Sequence, residues 1–205
     1  MKVLFATLIC LFLAGCELGI PTQGDDRTYF VLEDVGYESD DVVRATSDKN
    51  IVIRNVDSSS FVSSQRMVFA QDASTRGYYR FAFWVESPTR SLASIIANRL
   101  QAAEIFQSVV REGSGTVGDL QLNTDLLDFY HDVSKSPGSV VVKLRAELVD
   151  LRHREIIASK LFEQKAPASG YSAQGAAEGF NQAVSALVSD LVLWVADSVS
   201  GADKS

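Results

Sequence analysis

Apolar residues fall into three rhythms along the chain. The first is an almost unbroken run from Val3 to Leu13. The second is a set of short segments with the composition and two-residue period of strands. These are Tyr29 to Leu32, Ile51 to Val56 (IVIRNV), Arg66 to Ala70 (RMVFA) and the aromatic-rich Tyr78 to Val85 (YYRFAFWV). Polar stretches such as Asp57-Ser58-Ser59-Ser60 and Gln71 to Gly77 separate them and read as turns. The third rhythm is helical. Ser87 stands where a helix cap belongs and Pro88 follows at the first helical position, where its missing N–H costs nothing. Leu92, Ile95, Ile96, Leu100, Ala103 and Phe106 then recur at three- and four-residue steps, as a core-facing stripe does.

Beyond that helix, Val109-Val110 begins a short strand. Leu120 to Tyr130 is read as a strand from Leu120, Leu122 and Thr124, although Leu126-Leu127 breaks the alternation. Ser139 to Leu151 alternates without interruption, with Val140, Val142, Leu144, Ala146 and Leu148 on one face and Lys143, Arg145 and Glu147 on the other. Arg152 to Glu155 is a charged turn, and Ile156 to Gln164 returns as the second strand of an antiparallel hairpin. From about Ser172 to Ser198, a stripe of Ala176, Phe180, Ala183, Leu187, Leu191 and Trp194, flanked by Val184, Val188 and Val195, predicts a long helix covering the sheet. The expected fold is α/β with a mixed α+β sheet: a single domain of short strands with one central helix and one long C-terminal helix packed on the sheet.

The first apolar run is too short to cross a bilayer as a helix, and Lys2 ahead of it supplies the charge of a leader peptide. The run ends in Leu13-Ala14-Gly15-Cys16, the lipobox pattern of bacterial lipoproteins. Small residues before the cysteine let the backbone enter a peptidase site, and the Cys16 thiol is the nucleophile that accepts diacylglycerol. The expectation is a leader over 1–15, lipid on Cys16, a flexible tether over 16–27, a folded domain over 28–198 and a frayed tail over 199–205. Fully extended, Glu17 to Arg27 reaches on the order of 35 Å, enough to stand the domain off a membrane. Glu17 replaces the aspartate that ordinarily signals inner-membrane retention, so the expected location is the cell envelope, on the outer membrane facing the periplasm.

Composition narrows the function classes. Removing residues 1–15 from the 205-residue chain leaves 190 residues, and 46% of the whole is hydrophobic, which suits one folded domain and excludes a disordered chain. Both cysteines, Cys10 and Cys16, precede the domain, so it is expected to have no disulfide, thiolate nucleophile or cysteine metal site. Without Lys2 the balance is 18 basic against 26 acidic residues, net −8, and no basic cluster relieves it. Phosphate backbones would repel such a surface, so nucleic acid is not an expected partner. No second hydrophobic stretch reads as long enough to span a membrane, which makes the lipid the only expected anchor.

Three segments could carry chemistry. Gly113-Ser114-Gly115-Thr116-Val117-Gly118 matches G-x-G-x-x-G, but a dinucleotide site needs those glycines between a strand and a helix, and Asp119 to Thr124 does not open a helix. The segment reads as a flexible turn. The only histidines, His131 beside Asp132 and His153 in a charged turn, read as surface residues. They lack metal-ligand spacing and no Gly-x-Ser-x-Gly elbow accompanies them. Trp84 to Pro88 reads as packing at a helix entry. No cofactor, metal or catalytic residue is expected.

The order of these elements resembles a known family. Lipobox and tether lead to a strand near Ile51, then Ser64-Gln65-Arg66-Met67-Val68, Tyr78-Tyr79 and Trp84-Val85-Glu86-Ser87-Pro88. A helix, the hairpin and a terminal helix ending Leu191-Val192-Leu193-Trp194-Val195 complete it. The chain is similar to the ABC-type transport auxiliary lipoprotein family from about Tyr29 to Val195. Ser87 replaces a second proline common there and preserves the cap. The resemblance implies a mixed α/β fold and a non-catalytic accessory of an MCE/ABC-type envelope lipid-transport system. Its implied partners are an MCE-type periplasmic protein and ABC transporter components, with possible homo-oligomeric rings. Other readings are a periplasmic enzyme with an unrecognised site and a structural envelope-assembly lipoprotein.

Overall fold

The computed structural model describes residues 26–36 and 47–202. The leader, Cys16 and the tether up to residue 25 lie outside the described residues. Those described form one mixed sheet of nine strands with two helices. In chain order they are β1 (Thr28–Phe30), β2 (Ser47–Ile53), β3 (Asp57–Ser58), β4 (Arg66–Ala70), β5 (Gly77–Trp84), α1 (Pro88–Ala102), β6 (Phe106–Arg111), β7 (Leu120–Asp132), β8 (Ser139–Asp150), β9 (Glu155–Pro167) and α2 (Ala173–Ala202).

β7 organises the sheet. Along one side it runs antiparallel to β8, which in turn runs antiparallel to β9, the predicted hairpin. Along its other side three short strands share its length, all parallel to it: β2 at Leu120 to Leu122, β3 at Asp125-Leu126 and β4 at His131-Asp132. β2 carries β6 as a parallel neighbour, and β4 carries β5 antiparallel with β1 parallel beyond it. The sheet therefore divides into two arms on that side.

The alternation in β8 sets the core. Val140, Val142, Leu144, Ala146 and Leu148 are fully buried, while Lys143 and Arg145 on the opposite face pair with Glu163 at 3.5 Å and Asp125 at 3.8 Å. β7 explains its own broken pattern. Leu126 stands opposite Leu144 and Asp128 opposite Lys143, so Leu127 is the extra residue of a β-bulge. The bulge shifts the parity, and Phe129 and His131 face inward on the same side as Leu120, Leu122 and Leu126.

In α1 the buried stripe is as expected through Leu92, Ile96 and Leu100. Ser87 occupies the cap position with extended backbone, but its side chain makes no capping bond and its hydroxyl faces that of Thr89 at 3.1 Å. The helix ends at Ala102 because Glu104 turns into the left-handed region with φ of 52°. Phe106 consequently opens β6 and does not extend the helical stripe.

α2 packs over β8, β9 and α1. Phe180 stacks on Phe129 at 4.2 Å, and Trp84 meets both rings edge-on at 5.5–5.7 Å. Trp194 is only half-buried, set edge-on against Phe162. Two expectations about this helix are corrected. It continues to Ala202 with Val199 buried, so the frayed tail does not begin at 199. Residues 173–201 are also long and apolar enough to cross a membrane by length and composition. Phe180, Leu187, Val188, Leu191 and Val195 are nevertheless buried to nothing against the domain's own core, the arrangement of a core helix.

Candidate functional site

The chain enters the domain through β1 and then crosses α2 as a short strap, residues 31–36. Backbone N–H groups of the strap donate to α2 side chains, Glu33 to the Asn181 Oδ1 at 3.1 Å and Val35 to the Ser185 Oγ at 2.7 Å. Between them Asp34 meets the buried Arg99 guanidinium of α1, Oδ2 to Nε at 2.8 Å. Arg99 Nη2 donates in turn to the Ser189 Oγ at 2.5 Å and the Ser185 carbonyl at 3.4 Å. A Cβ on Gly36 would come within 3.0 Å of the Ser185 Cβ, so a side chain there would press the strap off the helix. One buried ion pair thus ties together the entering chain, the central helix and the terminal helix. Nothing in the sequence reading singles out Asp34 or Arg99. The signal is positional, for Arg99 lies seven residues after Leu92 and three after Ile96, on the core stripe itself.

A second buried polar node is His131, expected at the surface and found fully buried. The bulge at Leu127 is the reason, since it sets the parity that turns His131 inward beside Phe129. Its Nδ1 lies 2.8 Å from the Tyr79 hydroxyl, and the Tyr171 ring approaches on another side. Burial pushes the imidazole below its ordinary pKa, while the Pro137 carbonyl and the Asp132 carboxylate act more weakly in the other direction. Burial likewise raises the Tyr79 phenol. With the proton on Nε2, the neutral ring accepts the Tyr79 O–H at Nδ1. Gly138 closes the node at φ of 94°, where a Cβ would stand 2.3 Å from the His131 Nε2.

Other polar groups suit a solvated surface, Thr124 excepted, which is buried on β7. His153 is exposed in the β8–β9 turn, its backbone N–H donating to Asp150 and its Nδ1 3.1 Å from the same carboxyl. The His153 N–H holds the Asp150 carboxyl below the usual carboxylate range. The glycine-rich segment is a turn between β6 and β7, with Gly113 and Gly115 at positive φ, and β7 follows it directly. A polar cleft of about 600 Å³ opens where Asn55 and Arg111 meet the first turn of α1 at Ser87, Thr89, Arg90 and Ser94. Arg111 donates there to the Ser94 Oγ at 3.2 Å. Among the described residues no group of three or more His, Cys, Asp or Glu side chains is placed to hold a metal ion. Among the described residues, the hydrogen-bonding side-chain partners of the two histidines are Tyr79 and Asp150. Cys16, the one predicted site residue, lies outside the described residues.

Solved structures share this fold at low sequence identity. Protein XCC0632 from Xanthomonas campestris superposes with a TM-score of 0.72 at 18% identity, covering 87% of this chain and 98% of its own. The hypothetical protein CT253 from Chlamydia trachomatis superposes with a TM-score of 0.55 at 9% identity, covering 75% and 98%. No curated protein matches the chain in sequence. The family model described as the ABC-type transport auxiliary lipoprotein component matches residues 36–192, from the strap across both helices and the hairpin. The chain belongs to that family of cell-envelope transport accessories, as its motifs implied.

Proposed function

We propose that the protein is a non-catalytic accessory lipoprotein of an MCE/ABC-type envelope lipid-transport system. Lipid on Cys16 holds it to the outer membrane, facing the periplasm, and its folded surface docks an MCE-type periplasmic protein or another transport component there. The observation that carries this reading is the family match over residues 36–192, which takes in nearly the whole folded domain. Two features of the domain support docking over turnover. Its most elaborate buried polar arrangement, Asp34–Arg99–Ser189, fastens chain segments together. Its buried histidine is held by a tyrosine, against a glycine whose Cβ would collide with the ring. Crosslinking in intact cells, followed by mass spectrometry of the captured chains, tests the pairing. Recovery of an MCE or transporter component is the expected result. Recovery of none, while those proteins are expressed, would overturn the proposal.

A further inference from the structure

The point where the tether joins the domain is also where the surface is aromatic. β1 is an edge strand, hydrogen-bonded to β5 alone among the described residues. Their parallel register sets Tyr29 beside Phe83 and Phe30 beside Trp84. Trp84 is buried in the core, so Tyr29 and Phe83 occupy the opposite face, with ring centroids 5.6 Å apart. Val31 and Val85 stand two residues further on, each just past the end of its strand. Tyr29 is 53% exposed, Val31 53% and Val85 48%, and Phe81 just before them is 40% exposed. Isolated exposed apolar residues are ordinary, whereas a run of them on adjoining strands marks a contact surface.

Arginines lie over rings in and near this patch, where the chain as a whole is acidic. Arg27 lies over the Phe83 ring at 5.7 Å, Arg80 over Phe81 at 4.8 Å and Arg66 over Tyr78 at 4.0 Å. Asp26, Glu33 and Glu86 flank the same segments in sequence. Rings with arginines lying over them match the boundary between lipid headgroups and acyl chains. Aromatic bodies settle there, the arginine stems cover apolar surface, and the guanidinium forks reach phosphate oxygens. Position favours the same occupant. Arg27 follows Cys16 by eleven residues, so an anchor on Cys16 keeps the patch within on the order of 40 Å of the bilayer whatever path the chain takes. At such range even weak surface contact is intramolecular and strongly favoured.

We infer that the Tyr29–Phe83 face of β1 and β5 rests on the bilayer surface. The acyl chains then fix not only the distance of the domain from the membrane but its orientation, with β9 and the distal arm held away. This inference rests on the proposed lipidation of Cys16. The test uses the full chain, expressed, processed and reconstituted into vesicles of phosphatidylethanolamine with a minority of phosphatidylglycerol. Single cysteines replace Tyr29 or Val31 in the patch, and Leu161, 50% exposed on β9, as the reference. Each carries a fluorophore, and the vesicles carry a nitroxide on the lipid headgroup. The expected result is quenching at positions 29 and 31 at least about threefold stronger than at 161, lost in the Arg27→Glu/Arg80→Glu variant. Equal quenching at all three positions in protein that floats with the vesicles would overturn the orientation and leave the anchor standing. Failure of the unlabelled parent to float would overturn the anchor itself, and with it this inference. Disulfide-linked dimers of the unlabelled position-29 or position-31 cysteine variants, with no nitroxide quenching of the labelled ones, would show instead that a second copy covers the face.

Discussion

His131 is fully buried, where desolvation disfavours the charged ring. Its folded-state pKa is depressed by burial, whereas in the unfolded chain it titrates near its ordinary value of about 6.5. Between those two values the unfolded state binds the extra proton, so stability rises with pH there and declines as pH falls below about 6.5. The depressed carboxyls Asp132 and Asp150 act only in a more acidic range, below their ordinary value of 3.8. The two effects are therefore separable. His131→Gln should flatten the loss of denaturation midpoint between about pH 7 and 5.5, and parallel slopes for parent and variant would show that the ring is solvated or charged in the fold. Asp34 and Arg99 make a different residue-scale case. Asp34→Leu and Arg99→Met each break this largely buried pair and should each cost about 3 kcal/mol. The double variant should cost clearly less than the two singles together. Additive losses in denaturant unfolding would mean that the pair is solvated.

At the scale of elements, the stability of the domain depends on α2 lying on the hairpin. Leu187 and Leu191 are fully buried, and their replacement by Ala should cost about 2–4 kcal/mol each. Leu193, 52% exposed on the same helix, should lose no more than about 0.5 kcal/mol on the same change. Denaturant curves that match the parent for all three would mean that the helix does not cover the core. The helix and hairpin were legible in the sequence because their periods are local and their buried faces continuous, as from Val140 to Leu148. β4 matched its expected bounds for the same reason. What the pattern could not show is set by contacts between distant segments. The parallel pairing of β2, β3 and β4 along one side of β7 joins residues 60 or more positions apart and has no local signature. The bulge at Leu127 inverts the parity that sequence periodicity relies on, which is why His131 read as a surface residue. Arg99 drew no reading from the sequence, because a charge on a helix gives no sign of burial until a partner such as Asp34 is known. The Cys16 expectation rests on a lipobox, a local motif whose reading needs no tertiary contact.

For the whole molecule, folding and placement are separable. The buried core begins at Leu32, and the side-chain bonds that seat the strap run from Glu33, Asp34 and Val35 onto the two helices. None of these depends on residues before β1, so the proposed acyl group on Cys16 is expected to contribute location and not stability. Cys16→Ala should therefore release the protein from the membrane fraction while leaving its thermal unfolding unchanged. Intact-mass analysis should show the acyl increment on the parent and none on the variant; an unmodified Cys16 in the native protein would end the lipoprotein reading. The consequence for function follows from concentration. A domain held at the membrane meets its partner in a thin layer, and the released domain meets it throughout the compartment. Partner crosslinking in cells should accordingly fall sharply in Cys16→Ala, while binding of the purified variant to the same partner in solution stays at the parent's affinity. Equal crosslinking in cells would mean that docking alone places the domain and the anchor adds nothing. Weakened binding in solution would mean that the acylated N-terminus is itself part of the interface.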